Sequence, residues 1–216
     1  MLEIDLHTEI TCPWCIIGLR RLDKVLAKRF PDLATDIRHH PVLLLPDAPA
    51  AGLYIPDLLR ARYGVTDPKA VFARPEAEAR ASGLDLDLNR QLWTYPTQSA
   101  HALILVAHQR GVQHRLAVAI SEAYFLGAKN IADADVLADI AVDYGFSRAE
   151  SRAIALDPAW HKRVEHQAAR SSAAGVRSVP HFIFGGGVAI PGSRSEDEIA
   201  LSIQEAARPS WALIHR

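Results

Sequence analysis

Cys12 and Cys15 are the only cysteines in a chain of 216 residues, and Pro13 and Trp14 stand between them. Two thiols at this spacing can exchange with a disulfide: one attacks, and the other resolves the mixed disulfide that forms. A structural bridge is a poorer explanation, because closing so short a loop stabilises little and cytosolic proteins rarely keep one. A zinc site would need two more ligands. No further cysteine is available, and His161 and His166 lie five apart, off a common helical face, so no metal is expected. Two inert buried thiols remain conceivable, but the elements around the pair favour chemistry.

Those elements begin with Leu2 to His7, where apolar and polar residues alternate as in a half-exposed strand. After a short turn, Ile16, Leu19, Leu22, Leu26 and Phe30, with Val25 beside them, recur at the steps of an amphipathic helix that Pro31 ends. Cys12 then falls at the N-cap, with Pro13 at the first helical position, where its missing N–H costs nothing. A thiolate at Cys12 is stabilised by the free amides of Trp14 and Cys15 and by the helix dipole. The expectation is an exposed, attacking Cys12 and a buried, resolving Cys15 one turn inward. Thiols in such motifs titrate between about 3.5 and 7. The uncharged Pro13–Trp14 spacer predicts a less acidic Cys12, and a weaker oxidant, than a spacer carrying an imidazolium.

Further along, Thr35 to Val42 reads weakly as a second strand. Prolines 41, 46, 49 and 56 mark a loop, and a helix-rich stretch follows from about Leu58 to Ala174. Its periodic faces predict about five or six helices, with Gly111, Gly127 and Gly145 placed to cap them. His181–Phe184 and Val188–Ile190 flank Gly185, Gly186 and Gly187 as a hairpin, which leaves nothing for a phosphate loop to explain. Ser195 caps a last helix with an acidic first turn, and Pro209 stops it. Ser178-Val179-Pro180 precedes the hairpin. A cis Val179–Pro180 bond would leave the Val179 backbone free to pair with a bound peptide, whereas an ordinary trans proline opening a strand is the commoner case.

The composition is that of a globular chain, 49% hydrophobic and 23% charged, with a net charge of −1 that gives no case for nucleic acid or anionic membrane as partner. No window is long and apolar enough to cross a bilayer, and Met1 to His7 carries no secretory pattern, so the cytoplasm is the expected location.

The segment Cys12-Pro13-Trp14-Cys15-Ile16-Ile17-Gly18 with Arg20-Arg21, and the segment Gly175-Val176-Arg177-Ser178-Val179-Pro180-His181-Phe182, together resemble the cytoplasmic, DsbA-like (FrnE-type) branch of the thioredoxin superfamily. Ala81-Ser82-Gly83-Leu84 and Ala100-His101 resemble its helical block. The resemblance implies an α/β, thioredoxin-like fold with a large inserted all-helical subdomain: residues 1–45 and 175–216 around an insertion at 46–174. It implies a thiol–disulfide oxidoreductase with nucleophilic Cys12, resolving Cys15 and a cis Pro180. Pro13, Trp14, Val179 and His181 are the expected substrate-binding residues. No cofactor is expected, and glutathione stays open as a co-substrate; the partner is a thiol or disulfide, protein or small molecule. Two departures stand out. Tyr95-Pro96-Thr97 occupies the stretch where the family usually has an asparagine, and His181 replaces an apolar residue; His181 could tune Cys12 or relay a proton.

Two other classes compete. The glutathione-dependent 2-hydroxychromene-2-carboxylate isomerases and kappa-class transferases share the architecture but typically have serine at the position of Cys12. They also tend to carry an Asp-Arg pair where this chain has Gly192-Ser193-Arg194-Ser195. A redox-silent peptide clamp beside Pro180 has no residue that argues for it.

Overall fold

The computed structural model describes residues 1–208. Strand β1 (Leu2–Thr8) runs into helix α1 (Pro13–Arg29), which returns to β2 (Thr35–Pro41), parallel to β1. At the far end of the chain, β5 (His181–Phe184) and β6 (Val188–Pro191) add antiparallel strands, giving one sheet in the order β2-β1-β5-β6. Gly185 and Gly186 close the hairpin between them at positive φ, a conformation glycine adopts without strain. Helix α9 (Glu196–Ala206) follows, with a capping box in which Ser195 and Glu198 satisfy each other's backbone amides. Pro209, expected to stop this helix, lies outside the described residues.

Between β2 and β5 lie seven α-helices: α2 (Ile55–Tyr63), α3 (Pro68–Ala81), α4 (Gln98–Ala107), α5 (Gln113–Phe125), α6 (Ala134–Ala141), α7 (Arg148–Leu156) and α8 (Pro158–Ala173). The count exceeds the expected five or six because several helices here are only two or three turns long. The block also holds a small ladder, β3 (Leu53–Tyr54) against β4 (Trp93–Thr94), too short to show as alternation. Pro56 opens α2 rather than continuing the loop. Gly111 and Gly145 cap at positive φ as expected, each after a 3₁₀ turn. After α5 the positive φ falls on Ala128 instead of Gly127.

Helix α1 is the wall shared by two apolar clusters. Leu19, Leu22 and Val25 pack with Ile4, Leu6, Phe182 and Phe184 of the sheet and Ile199 and Ile203 of α9. Ile16 and Ile17 instead join Leu103, Leu116 and Ile120 of the helical block. Each such side chain, fully buried, contributes about 1.5–3 kcal/mol. Arg21 ties the same helix sideways: it pairs with Glu78 of α3, donates to Ser82 Oγ at 2.8 Å, and reaches the Arg194 carbonyl at 3.1 Å.

The other face of the sheet carries a row of histidines. His7 stands in register between His40 on β2 and His181 on β5, and its Nδ1 is 2.9 Å from Ser171 Oγ on α8. Burial, reinforced by the charges of His40 and His181 and opposed by Asp5, lowers the His7 pKa to about 4 from its ordinary 6.5. The unfolded chain therefore binds a proton at His7 over a range where the native chain refuses it. Stability is expected to fall as pH drops from 6.5 towards 4, by on the order of 3 kcal/mol from this group. Urea unfolding midpoints across that range check this; His7→Gln flattens the profile, and an unchanged profile in that variant contradicts it.

Candidate functional site

The turn from β1 into α1 places the thiols. The Cys12 amide donates to the Glu9 carbonyl at 3.1 Å, and the Cys15 amide donates to the Cys12 carbonyl at 2.9 Å, which closes the first turn. Cys12 is the N-cap residue and Pro13 occupies the first turn, as the sequence requires. Both thiols are free. The expectation of an exposed Cys12 is corrected: Cys12 is 7% exposed and Cys15 1%. The loop at Leu44–Leu45 and helices α2 and α3 roof the end of α1, so Cys12 opens on a cavity of about 460 Å³ instead of bulk solvent. Pro13, Trp14, Leu44, Leu59, Phe72 and Tyr124 are among its walls.

The two thiols titrate in opposite directions. The Cys15 thiol's hydrogen bond is the main cause that lowers the Cys12 pKa; the Cys15 and Trp14 amides add to it, against burial and the Glu9 charge. No amide makes a full capping hydrogen bond to the sulfur, so the amides act as nearby dipoles. Cys15 is pushed well up, first by burial, then by its hydrogen bond and charge interaction with Cys12. His181 plays no part in either shift. It stands beside His7, ring centroids 5.9 Å apart, and does not line the Cys12 cavity.

Sequence reasoning passed over Glu9, and it took His101 only as part of the helical block, with no role at the site. Glu9 is 1% exposed; its Oε2 accepts from the Leu44 amide at 3.1 Å and from Thr97 Oγ1 at 3.3 Å. Its Oε1 and His101 Nε2, 3.6 Å apart, are both buried and unpartnered. The signal for Glu9 was its position, the one charge in the turn Thr8–Thr11. Thr97 belongs to the stretch noted above as a departure, so that departure feeds a hydrogen bond to the carboxylate beside the thiols.

The Val179–Pro180 bond is cis. Pro180 packs on α1 at Gly18, where an added Cβ would meet Pro180 Cγ at 2.8 Å and Phe182 Cζ at 3.2 Å. Val179 lines a second cavity, of about 430 Å³, which shares Leu44 with the first. Among the described residues, neither backbone polar group of Val179 has a hydrogen-bond partner. The structure thus joins Cys12, Pro13 and Trp14 in one cavity, sets Val179 on the neighbouring one, and leaves His181 outside both.

Residues 3–204 match the model of the DSBA-like thioredoxin domain family. The chain therefore belongs to that family. Its fold is similar to that of a probable DsbA oxidoreductase from Streptomyces coelicolor, at 24% identity and a TM-score of 0.86, covering 97% of this chain and 92% of that one. It is also similar to a 2-hydroxychromene-2-carboxylate isomerase, at 15% identity and a TM-score of 0.65, over 95% and 93% of the two chains. A third relative is the cytosolic disulfide reductase DsbM from Pseudomonas aeruginosa with GSH, at 15% identity and a TM-score of 0.60, over 83% and 84%. No curated protein matches the sequence.

Two outcomes follow from this geometry. Because the Glu9 charge raises the pKa of both thiols, Glu9→Gln lowers the Cys12 pKa further, read as thiolate absorbance against pH; an unchanged or higher value contradicts the assignment. Gly18→Ala forces Pro180 and Phe182 apart from α1 and costs about 1–3 kcal/mol in chemical denaturation, where a neutral change would show that the contact is slack.

Proposed function

We propose that the protein is a thiol–disulfide oxidoreductase in which Cys12 attacks and Cys15 resolves. The observation that carries this reading is the placement of the two thiols at one helix N-terminus, Cys12 as the N-cap residue on the cavity and Cys15 buried in the first turn behind it, with the Cys12 pKa lowered and that of Cys15 raised. A thiolate forms first at the sulfur that faces the cavity, while the buried sulfur keeps its proton until it is needed. The Cys12 thiolate attacks a substrate sulfur, the substrate S–S bond breaks, and one half leaves as a thiolate. Cys15 then gives up its proton and attacks the Cys12 sulfur, which releases the second half and leaves a Cys12–Cys15 disulfide. Run backwards, the same steps oxidise a dithiol. Pro13 and Trp14 border the incoming group, and the unpaired Val179 backbone beside cis Pro180 is suited to hold an extended chain.

The exchange needs no prosthetic group. Glutathione fits as the co-substrate that returns the pair to the dithiol, and a cytoplasmic location fits because a reducing pool would supply it. A glutathione-dependent isomerase shares the fold, but the thiol at Cys12 argues for exchange over isomerisation.

Incubating each variant with oxidised glutathione tests the division of labour by intact mass. Cys15→Ser is expected to accumulate a stable mixed disulfide on Cys12, and Cys12→Ser to accumulate none on Cys15 at a comparable rate. Equal trapping in the two variants overturns the assignment. Isomerase activity that survives Cys12→Ser would favour the other branch.

A further inference from the structure

Helix α2 has nine residues and none of them is buried, although it carries Ile55, Leu58 and Leu59. All three line the cavity that opens on Cys12, opposite Phe72 of α3. Ile55 and Leu59 touch the edge of the core but stay half-buried, and the rest of this apolar face looks onto a space of about 460 Å³, within the range that holds small ligands. At the same cavity stand two exposed arginines, Arg62 from the last turn of α2 and Arg74 of α3. Neither forms an ion pair among the described residues. The Arg74 guanidinium lies 5.4 Å from the centre of the Trp14 ring, which brings a positive charge next to the dithiol motif. From sulfur to charges, the cavity therefore presents a reactive thiol, apolar walls, and free guanidinium groups suited to a carboxylate.

We propose that the substrate taken at Cys12 is a small disulfide with an apolar, aryl- or acyl-like body and a carboxylate that meets Arg62 and Arg74. The inference rests on the reading of Cys12 as the attacking thiol and names what it attacks. Glutathione is a poorer occupant, because its peptide groups and charges are spread along its length and would be desolvated against Leu58, Leu59 and Phe72. In the step itself, the Cys12 thiolate bonds to one substrate sulfur and the other leaves as an apolar thiolate. Cys15 then closes the Cys12–Cys15 disulfide and releases the second thiol, so the substrate gains the two electrons that the dithiol loses.

The test compares the disulfide of para-mercaptobenzoic acid with that of its carboxamide, each rate divided by the rate with dithiothreitol to remove intrinsic reactivity. Reduced protein is expected to favour the acid by about two- to fivefold, the scale of exposed charge pairing. The Arg62→Gln, Arg74→Gln double variant brings the ratio to near one, and Leu59→Asp slows reaction with both. A ratio near one in the unaltered protein, or an acid preference kept by the double variant, overturns the proposal.

Binding of the redox-inert thioether para-(phenylthio)benzoate, measured by calorimetry, separates the two readings. If hydroxyethyl disulfide is reduced but the thioether does not bind, the exchange chemistry stands and the proposed substrate class falls. If the thioether binds with arginine-dependent affinity and no disulfide reacts, the exchange chemistry falls and takes the proposed step with it. Displacement of the thioether by an apolar peptide lacking any carboxylate would assign the cavity to protein clients and also overturn the proposal.

Discussion

The start of α1 immediately after Cys12, with Cys15 one turn inward, is the constraint on which the site depends. It sets Cys12 at the N-cap on the cavity and Cys15 in the buried first turn behind it, so a pair of chemically identical groups becomes unlike, one pKa lowered and the other raised. Burial alone would raise both pKa values. The Trp14 and Cys15 amides act on Cys12 only because Pro13 starts the helix immediately after it. Everything else in the fold holds that helix end still and decides what can reach it.

Three contacts do the holding. Arg21 links α1 to α3 and to the segment before α9, so the helical block and the final helix are registered on the same element. Pro180 packs on the bare Gly18 backbone and brings the strand that follows it under the helix. Glu9 accepts from the Leu44 amide and from Thr97, pinning the loop that shares its wall between two cavities. Its cost is a negative charge beside the thiols, which keeps Cys12 less acidic than the helix terminus alone would make it. The imidazole of His101 lies beside the same carboxylate, its Nε2 3.6 Å from Glu9 Oε1.

Much of this was legible in the sequence because it is local. The N-cap position of Cys12 follows from a helix period and a proline, the β5–β6 hairpin from two strand runs around three glycines, and the α9 cap from Ser195 and Glu198. What was not legible is long-range. Cys12 reads as exposed until α2 and α3, more than forty residues away, roof it over. His101 lies more than ninety residues from Glu9 in the chain, and only the fold carries the one to the other. His181 looks like a neighbour of the dithiol in sequence logic, yet strand register turns it towards His7.

The reduction potential of the Cys12–Cys15 pair, equilibrated against glutathione buffers and read by alkylation and mass, tests the central claim most directly. The account predicts one reversible two-electron couple between about −270 and −180 mV, more reducing than the −120 mV of DsbA itself. A pair that stays oxidised below about −300 mV, as a structural bridge would, contradicts it. So does a value near −120 mV, which would mean that Cys12 is far more acidic than its surroundings allow.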